Sequence, residues 1–191
     1  MTYWDDQWIQ RDNGPYTISG NRGKRKIIID QLWKRTDYID RSKLEIGCGL
    51  CHHAALMGRL NPEWVKKYEG VEPSVEAERR VKEYYGFKVH PVCVEDLVTD
   101  KKYGLFLFLD SLEHVENLEK TASKIAELSE PHAIMFGNIP LYHSQHPEQG
   151  GFERLMDINV MVNFAKDCGF EKLWHHVYGV NGYPYMLWEA R

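Results

Sequence analysis

The amino-acid sequence predicts an α/β fold in which helices cover both faces of a mostly parallel sheet. Short apolar segments alternate with segments of helical periodicity along most of the chain, and this alternation is typical of a parallel sheet. Asn181-Gly182 separates the last two apolar segments, and an Asn-Gly pair between strands is the strongest short-range signal for a tight hairpin. The sequence therefore predicts seven strands, one of them an antiparallel strand contributed by a C-terminal hairpin.

Five segments have the features of helices. Residues 24–36 carry apolar side chains at four-residue spacing. A helix over residues 74–85 has well-marked ends, because Ser74 is a preferred N-cap residue and Gly86 is typical of a helix C-terminus. The other predicted helices cover residues 51–60, 115–125 and 155–165.

The predicted strands cover residues 44–47, 68–72, 87–94, 105–110, 133–137, 173–180 and 183–190. The fourth of them, Leu-Phe-Leu-Phe-Leu-Asp, is apolar up to its last residue, as expected for a central strand that is buried on both faces. Ligands of open α/β sheets bind at the carboxyl ends of the strands. We therefore expect the functional side chains where the first, second and fourth strands end.

Composition and charge narrow the functional classes. A chain of 191 residues suits one domain, which we assign to residues 24–191, after an N-terminal arm or lid at residues 1–23. The net charge of −4 and the absence of a long basic run disfavour nucleic acid as a partner. No apolar run approaches the roughly 20 residues of a membrane span. The lack of a signal peptide and the irregular cysteine spacing indicate a cytoplasmic protein, whose oligomeric state stays open, a homodimer included.

A glycine turn follows the first predicted strand, in residues 45–49 (Glu-Ile-Gly-Cys-Gly). Two glycines allow a sharp turn and the close approach of a ligand to the main chain. A dinucleotide-binding turn would have a third glycine at position 52, where this chain has His52. Glu45 favours a cationic group over a pyrophosphate beside the turn. By itself the motif is also compatible with a purely structural loop.

Acidic residues end two further strands. Glu72 follows the second strand and can accept hydrogen bonds from the two hydroxyls of a ribose. Asp110 and Ser111 follow the apolar fourth strand, where a carboxylate is costly unless it has partners. Binding of a ligand, a hydrogen-bond network and a helix cap are the alternatives for this pair.

Together these motifs resemble the class I S-adenosylmethionine-dependent methyltransferases, in particular the small-molecule methyltransferases. The glycine turn looks like the first motif of that family, and residues 71–73 (Val-Glu-Pro) look like its acidic second-strand end. Residues 110–115 (Asp-Ser-Leu-Glu-His-Val) are similar to its DxLEHV segment. The resemblance covers about residues 40–190. It implies a three-layer Rossmann-like sandwich whose seven-stranded sheet ends in a C-terminal antiparallel hairpin strand.

The resemblance also implies S-adenosyl-L-methionine as the cofactor and S-adenosyl-L-homocysteine as the product. Glu45 would lie near the methionine amino group, Glu72 would bind the ribose, and Glu95 would bind the adenine amino group. Cys93 stands where the family often has an aspartate before the adenine-binding turn. The full set of residues that the resemblance assigns to the cofactor is Glu45, Gly47, Cys48, Gly49, Glu72, Pro73, Val94, Glu95, Asp110 and Ser111.

A general base is needed only if the methyl acceptor must lose a proton. Tyr142, His143 and His146 lie in the loop after the fifth strand, and the pKa of histidine, about 6.5, suits proton removal near neutrality. Surface histidines without a catalytic role are the alternative. His143 and His146 could also be metal ligands, but two ligands do not make a metal site, and we predict none.

The predicted activity is transfer of a methyl group to an O or N atom of a small-molecule acceptor. The alternatives are a non-catalytic cofactor-binding or nucleotide-binding protein of the same fold and a NAD-linked oxidoreductase. Methylation of nucleic-acid adenine is disfavoured, because Asp-Ser-Leu-Glu stands at residues 110–113 in place of an Asn-Pro-Pro-Tyr-like motif. Residues 48–52 also fit a CxxCH haem-attachment motif or a CxxC redox pair, which the position across the glycine turn disfavours.

Overall fold

The computed structural model describes residues 22–141, 156–180 and 183–191. Its strands are β1 (Lys43–Ile46), β2 (Tyr68–Val71), β3 (Lys88–His90), β4 (Tyr103–Leu109), β5 (Ser129–Pro140), β6 (Leu173–Val180) and β7 (Tyr183–Ala190). Its helices are α1 (Arg22–Lys34), α2 (His52–Leu60), α3 (Pro62–Val65), α4 (Val75–Tyr85), α5 (Leu118–Leu128) and α6 (Ile158–Asp167). Single 3₁₀ turns lie at Thr36–Tyr38, Val94–Asp96 and Leu112–His114.

The seven strands form one sheet in the order β3-β2-β1-β4-β5-β7-β6. Neighbouring strands from β3 to β5 are parallel, whereas β7 is antiparallel to both β5 and β6. The predicted α/β sandwich with an antiparallel hairpin strand is thereby confirmed. The strand order reverses between β1 and β4, and ligands of open α/β sheets bind in the crevice at that point.

Two apolar cores lie on the two faces of the sheet. Phe106 and Phe108 of β4 point to one face, where they join the core formed with α5 and α6. Leu105 and Leu107 point to the other face, towards α1, α2 and α4. Side chains of a strand alternate between its faces, so the unbroken apolar run of β4 is explained by burial on both sides.

Several boundaries differ from the predicted ones, and two of them have a clear local reason. β3 ends at His90 because Pro91 cannot donate a ladder hydrogen bond, and a 3₁₀ turn follows in place of the predicted strand end. α5 begins after Asn117, whose side chain accepts a hydrogen bond from the Lys120 N–H. β5 begins at Ser129, four residues before the predicted start.

Some predictions fall on residues that the structure does not describe. The proposed arm or lid lies outside the described residues up to position 21, and so do Asn181 and Gly182. The pairing of Val180 with Tyr183 on either side of that pair agrees with the predicted hairpin register. Among the described residues, no helix is both long and apolar enough to cross a membrane.

Candidate functional site

The glycine turn after β1 is bound to the end of β2 and lies against the end of β4. Gly47 and Gly49 have φ angles of +65° and +50°. The N–H groups of Gly47 and Cys48 both donate to the Val71 carbonyl, at 2.8 and 3.1 Å. A Cβ atom on Gly47 would lie 2.6 Å from the Ser111 Cβ atom. Gly47 is therefore required by its backbone conformation and by the close approach of the β4 exit.

Glu72 connects the glycine turn to the turn after β2. Its side chain is buried, and Oε2 accepts a hydrogen bond from the Gly49 N–H at 3.0 Å. Oε1 accepts from the Ser74 N–H at 3.3 Å, across Pro73. A carboxylate can accept about four hydrogen bonds, so Glu72 can hold both turns and bind the hydroxyls of a ribose at the same time.

Glu45 lies beneath the turn, where the α2 side of the sheet buries it. The Tyr68 hydroxyl donates to Glu45 Oε2 at 2.7 Å and lies 3.3 Å from the Cys51 sulfur. His53 Nδ1 is 3.8 Å from Glu45 Oε1. Glu45 is 2% exposed, and its contact with His53 joins it to the start of α2. The structure therefore shows a positioning contact for Glu45, and its predicted approach to a methionine amino group stays a prediction.

The cysteine and histidine side chains of the turn have properties that disfavour redox chemistry. Cys48 and Cys51 are buried, and burial raises the pKa of the Cys48 thiol, with Cys51 as a further cause. Since the thiolate is the reactive form, such a thiol is a poor nucleophile. Burial, helped by Arg25 and His53, lowers the pKa of His52 to about 4. No three metal-binding side chains cluster in the part of the chain that the structure describes.

Asp110 is the centre of a polar network at the end of β4. Its φ of +57° is unusual for a residue with a side chain, and its N–H donates to the Asn138 carbonyl at 2.9 Å. Asp110 Oδ1 accepts a hydrogen bond from the Asn138 side-chain amide, and Oδ2 pairs with Lys24 Nζ at 2.7 Å. A side-chain network therefore holds Asp110, which does not act as a simple helix cap.

Ser111, the next residue, has a buried hydroxyl that makes no hydrogen bond to any described residue. Its side chain does not cap the 3₁₀ turn that follows. Leaving a buried hydroxyl without a partner typically costs about 1–3 kcal/mol, so such a group next to Gly47 is a candidate contact for a bound ligand.

The adenine-binding positions that the sequence predicts lie after β3. Val94 is buried at the start of a 3₁₀ turn. The Glu95 carboxylate accepts a hydrogen bond from the Thr121 hydroxyl, which ties this turn to α5. The predicted catalytic residues Tyr142, His143 and His146 lie outside the described residues.

Several residues of the polar network at the site were not predicted from the sequence. Lys24 and Asn138 contact Asp110 directly, and the Tyr178 hydroxyl donates to the Asn138 side-chain oxygen. Tyr178 lies opposite Tyr185 in the β6–β7 pairing. An Asn-Gly pair in the sequence predicts a hairpin of this register, and that register was the signal that could have placed the two tyrosines together.

These features fit S-adenosylmethionine better than a dinucleotide. The glycine turn has no space for a side chain at Gly47, and the buried Ser111 hydroxyl faces it. Glu72 and Asp110, two carboxylates at the ends of β2 and β4 on either side of β1, suit a cofactor that carries a ribose and cationic groups. A pyrophosphate in the same place would meet unfavourable charge.

Comparisons with known structures agree on the fold. Magnesium protoporphyrin IX methyltransferase from Synechocystis PCC 6803 with bound S-adenosylhomocysteine superposes with a TM-score of 0.72 at 14% identity, over 99% of this chain and 96% of that one. An N-methyltransferase of Bradyrhizobium japonicum WM9, also with S-adenosylhomocysteine, gives 0.69 at 12% identity, over 100% and 98%. An O-methyltransferase-like protein of Nostoc punctiforme PCC 73102 gives 0.67 at 12% identity, over 88% of this chain; the alignment spans 56% of that longer chain.

The sequence itself gives the family. No curated protein sequence matches the chain. The family described as "Methyltransferase domain" matches residues 23–176, which is more than half of the 191 residues and includes the glycine turn, Glu72 and Asp110. The chain therefore belongs to this family of class I methyltransferases, and its cofactor is S-adenosylmethionine.

Proposed function

We propose that the protein is a cytoplasmic enzyme that transfers a methyl group from S-adenosylmethionine to an O or N atom of a small molecule. The observation that carries the proposal is the continuous set of buried polar groups along the carboxyl ends of β2, β1 and β4. It runs from Glu72 through the Gly47–Gly49 turn to Ser111. This set matches, in order, a ribose, a methionine chain and its cationic end.

The residues would divide the cofactor between them. The Gly47–Gly49 turn would bind the methionine part, with Cys48 at its centre and Ser111 supplying a hydroxyl. Glu72 would accept hydrogen bonds from the ribose, and Val94 and Glu95 would border the adenine. When bound, the cofactor supplies a methyl group on a positively charged sulfur. The chain would mainly align that group and exclude water, which is the usual contribution of a protein to such displacements.

The acceptor would lie over the ends of β4 and β5, with residues 1–23 and 139–152 shaping its pocket. Similar structures include proteins named as O- and N-methyltransferases, so the fold serves both acceptor atoms. His143 is the first candidate for a general base, and Tyr142 and His146 are the next. We expect His143→Ala to lower turnover at least about tenfold while cofactor affinity holds; unchanged turnover would remove His143 from this role.

Calorimetry with S-adenosylhomocysteine tests the cofactor site with two glutamates as matched variants. Glu72→Gln should weaken binding at least about tenfold, because the ribose loses a charged acceptor. Glu69→Gln removes a second buried carboxylate three residues earlier, on β2 but away from the glycine turn, and should leave binding within about twofold. Equal losses in both variants would contradict the assignment of Glu72.

Two other experiments distinguish the proposed function from the two alternative functions. Tight binding of NAD together with absent binding of S-adenosylhomocysteine would favour the oxidoreductase. A screen of small O- and N-acceptors with methyl-labelled S-adenosylmethionine separates an enzyme from a protein that only binds the cofactor. Label transfer to a small molecule supports the proposed function; saturable cofactor binding with no transfer across the screen favours the non-catalytic alternative.

A further inference from the structure

Beyond Asp110, the site continues onto the half of the sheet that the cofactor does not need. The ribose and adenine positions follow β2 and β3, on one side of β1. Asn138, Tyr185 and Tyr178 lie on β5, β7 and β6, on the opposite side of β4. Strands lie about 4.8 Å apart, so β7 and β6 are roughly 10 and 14 Å beyond β4. The two tyrosines therefore lie on the side where a methyl acceptor would bind.

A primary ammonium group is already bound in this part of the structure. Lys24 Nζ lies 2.7 Å from Asp110 Oδ2 and 4.7 Å from the centroid of the Tyr185 ring. The Lys24 side chain is only 14% exposed and that of Asp110 is 26% exposed. A carboxylate and the face of an aromatic ring are the two groups that proteins combine to bind alkyl ammonium ions.

The carboxylate of Asp110 is held in place by a chain of hydrogen bonds. The Tyr178 hydroxyl donates to the Asn138 side-chain oxygen, and the Asn138 amide donates to Asp110 Oδ1. Asn138 is fully buried, and the rings of Tyr178 and Tyr185 stack with their centroids 5.7 Å apart. Burial, with Asp110 as a further cause, raises the pKa of Tyr178, so its hydroxyl stays protonated and fixes the direction of the amide. Oδ2 of Asp110 is thereby presented to a cation.

We propose that the methyl acceptor is an alkylamine, bound as its ammonium ion by Asp110 and the Tyr185 ring, and that Lys24 holds this position until the acceptor replaces it. The inference rests on the proposed methyltransferase function. Replacement exchanges one ammonium for another, so Asp110 keeps a cationic partner while the acceptor binds. Lys24 lies in the first turn of α1.

The chemical step balances with water as the only further reactant. The bound ammonium first gives one proton to water, which leaves a neutral amine with a lone pair. The nitrogen then forms a bond to the methyl carbon while the bond from that carbon to sulfur breaks, and the electron pair of that bond stays on sulfur. The products are a methylated ammonium ion, S-adenosylhomocysteine and a hydronium ion.

The test uses the full chain, labelled S-adenosylmethionine and three acceptors that share one ring: phenethylamine, phenylacetate and 2-phenylethanol. We expect kcat/KM for the amine to exceed that for the other two by at least about tenfold. A preference for phenylacetate would show that Lys24 binds an anion, and equal rates would show that Asp110 selects nothing; either result overturns the proposal. So would failure of all three to be methylated or to bind the complex with S-adenosylhomocysteine.

Two variants locate the amine. Lys24→Met removes the internal competitor and should lower KM for phenethylamine about threefold or more. Asp110→Asn should raise the KM for phenethylamine by a factor at least about tenfold larger than the factor by which it weakens the binding of S-adenosylhomocysteine. Equal weakening would mean that Asp110 binds the cofactor's own ammonium group, and a raised KM in Lys24→Met would mean that Lys24 contacts the acceptor; both outcomes contradict the proposal.

Cofactor affinity keeps this inference separate from the proposed function. If wild-type protein does not bind S-adenosylhomocysteine, the methyltransferase assignment fails and the inference fails with it. If the cofactor product binds and the amine preference is absent, only the inference fails. Binding of S-adenosylhomocysteine by each variant also shows that the variant is folded.

Discussion

Glu69 and Glu72 are three positions apart in the sequence, yet their surroundings differ in a way that distinguishes a stabilising carboxylate from a functional one. Lys101, His90 and Tyr103 all contact the Glu69 carboxylate within 3.0 Å, and Lys88 lies at 3.2 Å. Burial alone would raise the pKa of Glu69, but these hydrogen bonds outweigh it and hold the pKa at about 2. Side chains of the protein itself thus neutralise Glu69.

The carboxyl ends of β1, β2 and β4 are organised differently. There Glu72 is held by main-chain N–H groups, and Asp110 adopts a positive φ. The Ser111 hydroxyl is buried without a partner among the described residues, and burial keeps His52 uncharged at neutral pH through a pKa of about 4. Strain and incompletely satisfied polar groups are costs that proteins retain mainly at functional sites. The state of its neighbours, more than its burial, therefore identifies a functional carboxylate.

Two glycines with the same backbone conformation give the sharpest test. Gly47 and Gly86 have φ angles of +65° and +70°, but a Cβ would meet Ser111 at 2.6 Å in the first and nothing within 4 Å in the second. Gly86→Ala should lose about 1–2 kcal/mol of unfolding free energy from its left-handed backbone conformation, and Gly47→Ala should lose more, because its Cβ would also overlap Ser111. Only Gly47→Ala should also lose affinity for S-adenosylhomocysteine, by about a hundredfold, because the β4 exit must shift. Calorimetry and urea unfolding measure both quantities, and normal affinity in Gly47→Ala would refute the assignment of the turn.

Acid should first destabilise the end of the sheet that carries the site, where His52 lies. The pKa of His52 is about 4 in the folded protein and 6.5 in the unfolded chain, so the unfolded chain binds more protons between these values. Stability should therefore fall by about 2–3 kcal/mol as the pH falls from 7 to 4.5. Urea unfolding at the two pH values measures the loss. His52→Gln should abolish most of it, and a matched change of the exposed His132 should not; a loss that survives in His52→Gln would have another origin.

The cluster around Glu69, at the start of β2, should be destabilised by loss of the Glu69 charge and not by acid. Glu69→Gln should cost about 2 kcal/mol of unfolding free energy, because Lys101 and His90 lose their common buried acceptor. Glu76 is the control, since hydrogen bonds from Arg79 and Arg80 also hold its pKa at about 2 on the surface of α4. Glu76→Gln should cost less than about 1 kcal/mol in the same urea experiment. Equal costs would show that the Glu69 cluster adds nothing beyond a surface ion pair.

How far the sequence could predict this molecule depends on the range of each interaction. The sheet, its hairpin and the ends of α4 follow from local signals, such as the Ser74 cap and the Gly86 stop, which the structure has at the predicted residues. The glycine turn and Glu72 could be placed together because the carboxyl ends of parallel strands meet.

Contacts that depend on packing between distant segments could not be predicted in this way. Lys24 reaches Asp110 only because α1 docks beside the end of β4, and no periodicity of α1 marks that residue. The contact of Glu45 with Tyr68 beneath the turn follows from the alternation of β1, and the approach of Glu45 to the cofactor stays a prediction. Pro91 was the one local signal for the early end of β3 that could have been used and was not.

We expect the smallest effect from the loss of a single tyrosine hydroxyl. The two to compare are Tyr178, at the end of the sheet that carries the site, and Tyr103, at the opposite end beside Glu69. Tyr178→Phe removes the donor that fixes Asn138, and Tyr103→Phe removes one of the donors to Glu69. Each should cost about 1 kcal/mol of unfolding free energy, since one buried hydrogen bond is lost. Only Tyr178→Phe should also raise KM for phenethylamine, about threefold, because Asn138 would no longer orient Asp110. If Tyr103→Phe raised that KM equally, the effect would be a general loosening of the sheet, and the two ends would not have separate roles.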